Sequence, residues 1–208
     1  MTSPRIVWTP DTGRQQVESI SAELKGQPYL KVSTTSRYTW VYDDSGTGSD
    51  MDLTVFRPTP DSEQTFIIGD CAQSSGTAQG FSLTVQAIND SSDYPLLKAP
   101  IGYAQVWNDH GSGGRHDGSI WLPMAPDGYI AIGAVASDGY TTPNIPSYRC
   151  LRRDLLVEAQ PGALIWNDRG SGAHDDVALY SIMGLNNAFL AQANYSALTG
   201  TYYTIRNI

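Results

Sequence analysis

An all-β domain of β-prism type, with three antiparallel sheets related by a pseudo-threefold axis, is the fold class that this sequence predicts. Three observations carry the expectation. The aromatic complement is 12 Tyr and 5 Trp against 4 Phe, and amphipathic rings suit half-buried sheets and binding surfaces. Stretches of helical period are nearly absent. One Asp-Gly loop pattern occurs three times, starting at Tyr42, Trp107 and Trp166 and so at intervals of 65 and 59 residues.

The three copies align without gaps. The first runs from Tyr42 through Asp44, Gly46 and Gly48 to Asp52; the second from Trp107 through Asp109, Gly111 and Gly113 to Asp117; the third from Trp166 through Asp168, Gly170 and Gly172 to Asp176. The shared pattern is aromatic, Asn or Asp, Asp, any, Gly, Ser or Thr, Gly, three of any kind, Asp. A strand-like stretch precedes each loop: Tyr38–Val41, Tyr103–Val106 and Ala163–Ile165. Downstream, Phe56, Trp121 and Tyr180 are equivalent, as are Pro58 and Pro123, with Ile182 departing from the pattern. Each copy therefore reads as strand, Gly-rich loop, strand, turn, strand. A sheet this small is marginal alone and must bury its apolar face against others. Three copies around an axis do so as a prism, whereas a propeller usually needs four blades.

The 208 residues suit a single domain, 1–208. Its internal repeats fall at about 38–100, 101–160 and 161–208. Residues 1–37 are expected to add N-terminal strands, and those strands and the tail 201–206 to close the first and last sheets. Within 1–37, Val17, Ile20 and Leu24 recur at helical spacing between Arg14 and Leu24, but three apolar positions do not decide between helix and strand.

The formal net charge is −8, from 13 basic and 21 acidic groups. This argues against nucleic acid as a partner, because phosphate binding needs a basic footprint. It also weakens attraction to anionic membranes, leaving Arg149, Arg152 and Arg153 as the local basic patch where membrane contact is conceivable. No apolar run approaches the ~20 residues that span a bilayer. Nothing after Met1-Thr2-Ser3-Pro4-Arg5 has the apolar character of a signal peptide. The expected setting is cytoplasmic, or secreted without a recognisable signal peptide. Cys71 and Cys150 are too few for a disulfide scaffold. They are expected to be buried thiols, with a single bridge left open.

The second copy, Val106 to Gly113 followed by Trp121-Leu122-Pro123-Met124-Ala125-Pro126-Asp127-Gly128-Tyr129 and by Arg149-Cys150-Leu151-Arg152-Arg153-Asp154-Leu155, resembles the Vps62-type (vacuolar protein sorting 62-like) family. The third copy, from Ile165 to Ala173, fits the same pattern. The resemblance spans roughly residues 38–208 and implies a β-prism-like fold, with vacuolar sorting in the inherited name and no defined chemistry.

The loops themselves suggest chemistry. Glycines allow positive φ and bring backbone N–H groups close to a ligand, and the closing Asp adds a carboxylate acceptor. Together they can grip a sugar, with Trp or Tyr stacking on its apolar face. Each copy also contains Gly-x-x-x-Asp, which resembles the sugar-binding loop of jacalin-related lectins, themselves β-prisms. That resemblance implies ligand contacts from Gly48, Met51 and Asp52, from Gly113, His116 and Asp117, and from Gly172, Asp175 and Asp176. The tight Asp-x-Gly-Ser-Gly stretch is a departure from those lectins. Asp44, Asp109 and Asp168 offer hard oxygen ligands, making calcium the candidate ion; no other cofactor is indicated. A structural alternative is that the aspartates brace the turn by accepting backbone N–H groups. His110, His116 and His174 have no counterpart in the first copy, and no nucleophile, zinc or phosphate motif is present. Threefold repetition fits multivalent glycan binding, not a single catalytic centre. The alternative function is a membrane- or protein-targeting domain, part of a pore-forming or trafficking system.

Overall fold

The computed structural model describes residues 4–9 and 24–206. The helically spaced segment 14–24 lies, except for Leu24, outside the described residues. The molecule is all-β, and its sole helical turn among the described residues is a 3-10 turn at Arg153–Leu155.

Three units with one topology follow an N-terminal strand β1 (Arg5–Trp8). The first contains β2 (Tyr29–Thr35), β3 (Tyr38–Asp43), β4 (Thr54–Pro58), β5 (Phe66–Ile67), β6 (Cys71–Gln73) and β7 (Ser82–Ile88). The second contains β8 (Leu97–Lys98), β9 (Gly102–Asn108), β10 (Gly118–Met124), β11 (Tyr129–Ile130), β12 (Val135–Asp138) and β13 (Cys150–Arg152). The third contains β14 (Leu156–Ala159), β15 (Pro161–Asn167), β16 (Ala178–Ile182), β17 (Phe189–Gln192) and β18 (Tyr202–Ile205).

In every unit the loop hairpin and the following strand make a three-stranded antiparallel sheet: β3-β4-β6, β9-β10-β12 and β15-β16-β17. The first and last strands of each unit pair with one another, β2 with β7, β8 with β13 and β14 with β18. In the first two units a short strand, β5 or β11, adds to the last one. The structural unit thus begins one strand before the sequence repeat becomes visible. The architecture is six small sheets rather than three large ones. The N-terminal strands do not close the first hairpin sheet: β1 runs parallel to β2 in the β1-β2-β7-β5 sheet. The tail strand β18 likewise joins β14, not the third hairpin sheet. These outer strands were harder to place because they carry no copy of the loop pattern.

Each loop hairpin carries a register shift at one equivalent place, beside Val41, Val106 and Ile165. Such a bulge twists the strand and re-aims the next side chain. Here that side chain is the loop-initiating aromatic. Tyr42, Trp107 and Trp166 all turn inward and are at most 2% exposed. Their rings meet edge to face, Tyr42 with Trp107 at 6.1 Å and Trp107 with Trp166 at 5.6 Å, a preferred geometry for aromatic pairs. Around them pack Leu53, Val55, Ile120, Val177, Leu179 and Phe189, one core shared by the three units.

The units also meet at a second place. A Cβ on Gly69 would lie 2.9 Å from the Cα of Gly133, and Ala188 packs against both. Asp70 N–H donates to Ala134 C=O, and Ala134 N–H to Phe189 C=O. The fully buried Asp70 carboxylate takes Arg57 bidentately, at 3.0 and 2.8 Å, and also accepts Ala136 N–H. Arg57 in turn donates to Ala136 C=O at 2.7 Å. Removing one partner of such a pair strands the other charge, so the ion pair ties unit to unit.

Cys71 and Cys150 are free, fully buried thiols. Burial pushes both up from 9.0 to about 12. Because the unfolded chain releases these protons first, stability is flat below about pH 8 and falls as pH rises from 9 toward 12, by at most about 1.4 kcal/mol per pH unit for each thiol. Urea titrations from pH 7 to 11 should show this fall. Neither thiol should react with a disulfide reagent at pH 8 until the chain unfolds.

Candidate functional site

The three loops converge, and each motif position has a structural task. The second residue caps the turn through its side chain: Asp43 Oδ1, Asn108 Oδ1 and Asn167 Oδ1 accept the N–H groups of Ser45, His110 and Arg169, forming Asx turns. The sixth residue's hydroxyl, on Thr47, Ser112 or Ser171, accepts the N–H two residues on. The first loop glycine has φ of +85°, +93° and +78° at Gly46, Gly111 and Gly170, a region that L residues rarely adopt. The second glycine is needed where loops touch: a Cβ on Gly48 would lie 2.6 Å from Gly170 O.

The loops are linked in a ring. Asp50 N–H donates to Arg169 C=O, Arg115 N–H to Ser45 C=O and His174 N–H to His110 C=O, at 2.8–2.9 Å. These are the same two motif positions each time, always between successive units.

The upstream aspartates are the buried centre of this ring. Asp44, Asp109 and Asp168 are 8%, 3% and 3% exposed. Each Oδ1 accepts the backbone N–H nine residues on, from Leu53, Gly118 and Val177. The Oδ2 atoms of Asp44 and Asp168 accept indole N–H groups from the preceding unit, Trp166 and Trp107, both at 2.9 Å. The same two indoles also donate to the carbonyls of Met51 and Asp175. The third link is different. Tyr42 holds the aromatic position facing Asp109, and its buried hydroxyl has no hydrogen-bond partner. Asp109 Oδ2 accepts instead from Ser112 Oγ at 3.4 Å.

The residues anticipated as ligand contacts separate into two groups. Asp52, Asp117, Asp175 and Asp176, with His116, are exposed on the loop face. His116 stands edge-on to Trp40, centroids 5.0 Å apart. Gly113 faces open space. By contrast, Gly48 and Gly172 back onto neighbouring loops, and Met51 N–H donates to Ser49 Oγ. Asp44, Asp109 and Asp168, the anticipated calcium ligands, already accept hydrogen bonds from N–H and, for Asp109 and Asp168, hydroxyl donors. Among the described residues no group of three or more His, Cys, Asp or Glu is placed to hold a metal ion.

Two tyrosines that the motif does not contain complete the second and third loops. Tyr195 donates its hydroxyl to Asp168 Oδ1 at 2.7 Å and lies beside Asp176. Tyr140 lies beside Asp109 and Asp117 in the second loop. Burial, reinforced by the neighbouring carboxylates, raises both phenols above the ordinary tyrosine range. The fourth loop residue stacks on each ring: His110 on Tyr140 at 3.8 Å and Arg169 over Tyr195 at 4.3 Å. Sequence spacing hides these tyrosines, because Tyr140 and Tyr195 follow their closing aspartates at different distances. In the third loop the buried carboxylate thus accepts a phenol hydroxyl close to the exposed Asp176.

The basic run is already engaged. Arg149 stacks on Phe66 at 3.8 Å, Arg152 pairs with Asp154, and Arg153 donates to the Tyr203 hydroxyl.

Fold and loops define a class: an all-β module of several small antiparallel sheets whose three Asp-Gly loops are hydrogen-bonded to one another. The model of the Vps62 family, described as vacuolar protein sorting-associated protein 62, matches residues 9–207, nearly the whole chain. The chain belongs to the Vps62 family. The crystal structure of GNIP1Aa from Chromobacterium piscinae is similar, with a TM-score of 0.71 and 29% sequence identity. The match covers 91% of this chain and 40% of that one, so this chain spans about two fifths of its length. No curated protein sequence matches the chain.

The ring of loops makes opposite predictions for its aromatic members. Asp168→Ala leaves the buried Val177 N–H unpaired, at about 1–3 kcal/mol, and takes one of two acceptors from the Trp107 indole, which keeps the Asp175 carbonyl. It should lower stability by about 2–4 kcal/mol. Tyr42→Phe removes a hydroxyl that is buried without a partner, and should leave stability unchanged or raise it by about 1 kcal/mol. Denaturant titrations of both variants check the pair.

Proposed function

We propose that this chain is a carbohydrate-binding, lectin-like module of β-prism type, with the Asp-Gly loop face as its binding surface. The supporting observation is the paired carboxylate of each loop, whose buried member in the third copy accepts a tyrosine hydroxyl. A carboxylate accepting from a hydroxyl makes a stronger bond than a neutral acceptor does. The same pair would take the hydroxyls of a sugar. The exposed Asp52, Asp117 and Asp176 stand at the end of the Gly-x-x-x-Asp stretches that resemble jacalin-related lectins. His116 and the half-exposed Trp40 add an aromatic wall beside the first two loops. In this reading the module binds without turnover and uses no cofactor. Its glycan partners would be held weakly per site.

A second reading, a membrane- or protein-targeting domain, is favoured by one observation: the similar GNIP1Aa structure is a longer chain, so this fold occurs there as one portion of a larger protein. Arg153 and the exposed Tyr94 would be the contact region.

Glycan arrays and calorimetry, with calcium and with chelator, test the first reading. Wild type should bind at least one glycan class, and joint replacement of Asp52, Asp117 and Asp176 by Asn should lower that affinity at least tenfold while the melting temperature holds. Absence of binding to every glycan contradicts the proposal. Flotation with anionic liposomes, lost on charge reversal at Arg149, Arg152 and Arg153, would favour the targeting reading.

A further inference from the structure

The three loops are equivalent in backbone and unequal in occupancy. The hairpin residues Thr54, Ser119 and Ala178 pair with Gln73, Ser137 and Gln192. Three residues beyond these partners stand Gly76, Tyr140 and Tyr195. Gly76 therefore holds, in the first unit, the position from which a tyrosine closes the other two loops. The stacking partner has changed with it: the residue equivalent to His110 and Arg169 is Ser45. Where two loops have a phenol sandwiched against a side chain, the first has a cavity of about 230 Å3. Its walls include Asp44, Ser45, Thr47, Asp52, Thr54 and Ser74.

Asp44 reaches this cavity with fewer partners than Asp168 has. Its Oδ1 accepts only Leu53 N–H, whereas Asp168 Oδ1 accepts both Val177 N–H and the Tyr195 hydroxyl. A carboxylate oxygen carries two lone-pair sites, so Asp44 has one acceptor direction to offer. Burial holds its carboxyl above the usual range, opposed by the Leu53 and Trp166 hydrogen bonds.

Resting on the carbohydrate-binding reading, we infer that the first loop is the sugar site of this module, with pyranose hydroxyls taken by Asp44 and Asp52 where, in the third loop, the Tyr195 hydroxyl meets the buried Asp168. The second and third loops are closed by their own tyrosines. The ligand class follows from the walls. Hydroxyls and carboxylates line the cavity, and the ring-stacking His110 or Arg169 equivalent is absent, so a hydroxylated ring fits and a flat aromatic one does not. The volume lies below the roughly 300–1,000 Å3 of drug-sized sites, which suits a single sugar ring. Stoichiometry is accordingly one ligand per chain, not three.

Gly76→Tyr tests this by supplying the missing phenol. A Cβ at Gly76 meets nothing within 4 Å, and its φ is not in the left-handed region, so the backbone admits the change. Calorimetry would use the methyl glycosides of mannose, glucose, galactose and N-acetylglucosamine. Wild type should bind at least one of them with one site per chain. Gly76→Tyr should lower that affinity at least tenfold, with an unchanged or higher melting temperature. The exposed Asp52→Asn gives the same loss if the tyrosine variant fails to fold. Unchanged affinity in either folded variant overturns the assignment, as does a stoichiometry of three. If Asp117→Asn and Asp176→Asn abolish binding while Gly76→Tyr does not, the carbohydrate reading stands and the first-loop assignment falls. If wild type binds none of the glycosides, both fall.

Discussion

The indole N–H of Trp107 crosses a unit boundary to the carboxylate of Asp168, and that of Trp166 crosses the next boundary to Asp44. Each carboxylate simultaneously accepts a backbone N–H from its own loop. Buried carboxylates are costly unless fully hydrogen-bonded, and here the satisfying donors come from two different units. Neither the first nor the third unit can complete the hydrogen bonds of its loop aspartate while the preceding unit is absent. The motif aspartate and the motif aromatic are therefore one device split between copies, which is why both recur with the same spacing. The loop glycines serve the same end by letting the three loops touch.

The device is not closed symmetrically. At the boundary between the first and second units, Tyr42 replaces tryptophan and its hydroxyl reaches no acceptor. A different tie serves there, in which Arg57 and Asp70 of the first unit hold both backbone groups of Ala136 in the second. The first unit thus departs from its fellows twice, in the aromatic of its motif and in the glycine where they have tyrosine. Both departures fall on the loop with the open cavity.

Much of the fold was legible because the loop pattern is local and strict. The three hairpins, the strands on either side of each loop and the equivalence of Phe56, Trp121 and Tyr180 could be aligned without gaps. Strands within 1–37 and in the tail 201–206 were legible, but the partners of the outer strands were not, since β8 is two residues long and β14 and β18 carry no copy of the loop pattern. Their pairing depends on long-range closure within a unit, which no short-range pattern encodes. The three Asp-Gly loops were found, but the division of labour inside them was not. Sequence shows two aspartates per loop; only the packing shows that one is buried as a brace and the other exposed. Tyr140 and Tyr195 escaped notice because the turns before them differ in length, so that their common register appears only through strand pairing. The basic run at Arg149, Arg152 and Arg153 was legible, but not its contacts with Phe66, Asp154 and Tyr203.

Hydrogen exchange of the indole N–H groups tests the shared device most directly. The chain has 5 tryptophans, and their side-chain signals are few enough to assign by NMR. If the carboxylate links hold the three units together, the Trp107 and Trp166 indole protons exchange only through global unfolding, with the opening free energy measured by denaturant, while the exposed Trp40 indole exchanges fast. Exchange of Trp107 or Trp166 by local opening, well below the global free energy, would contradict the account.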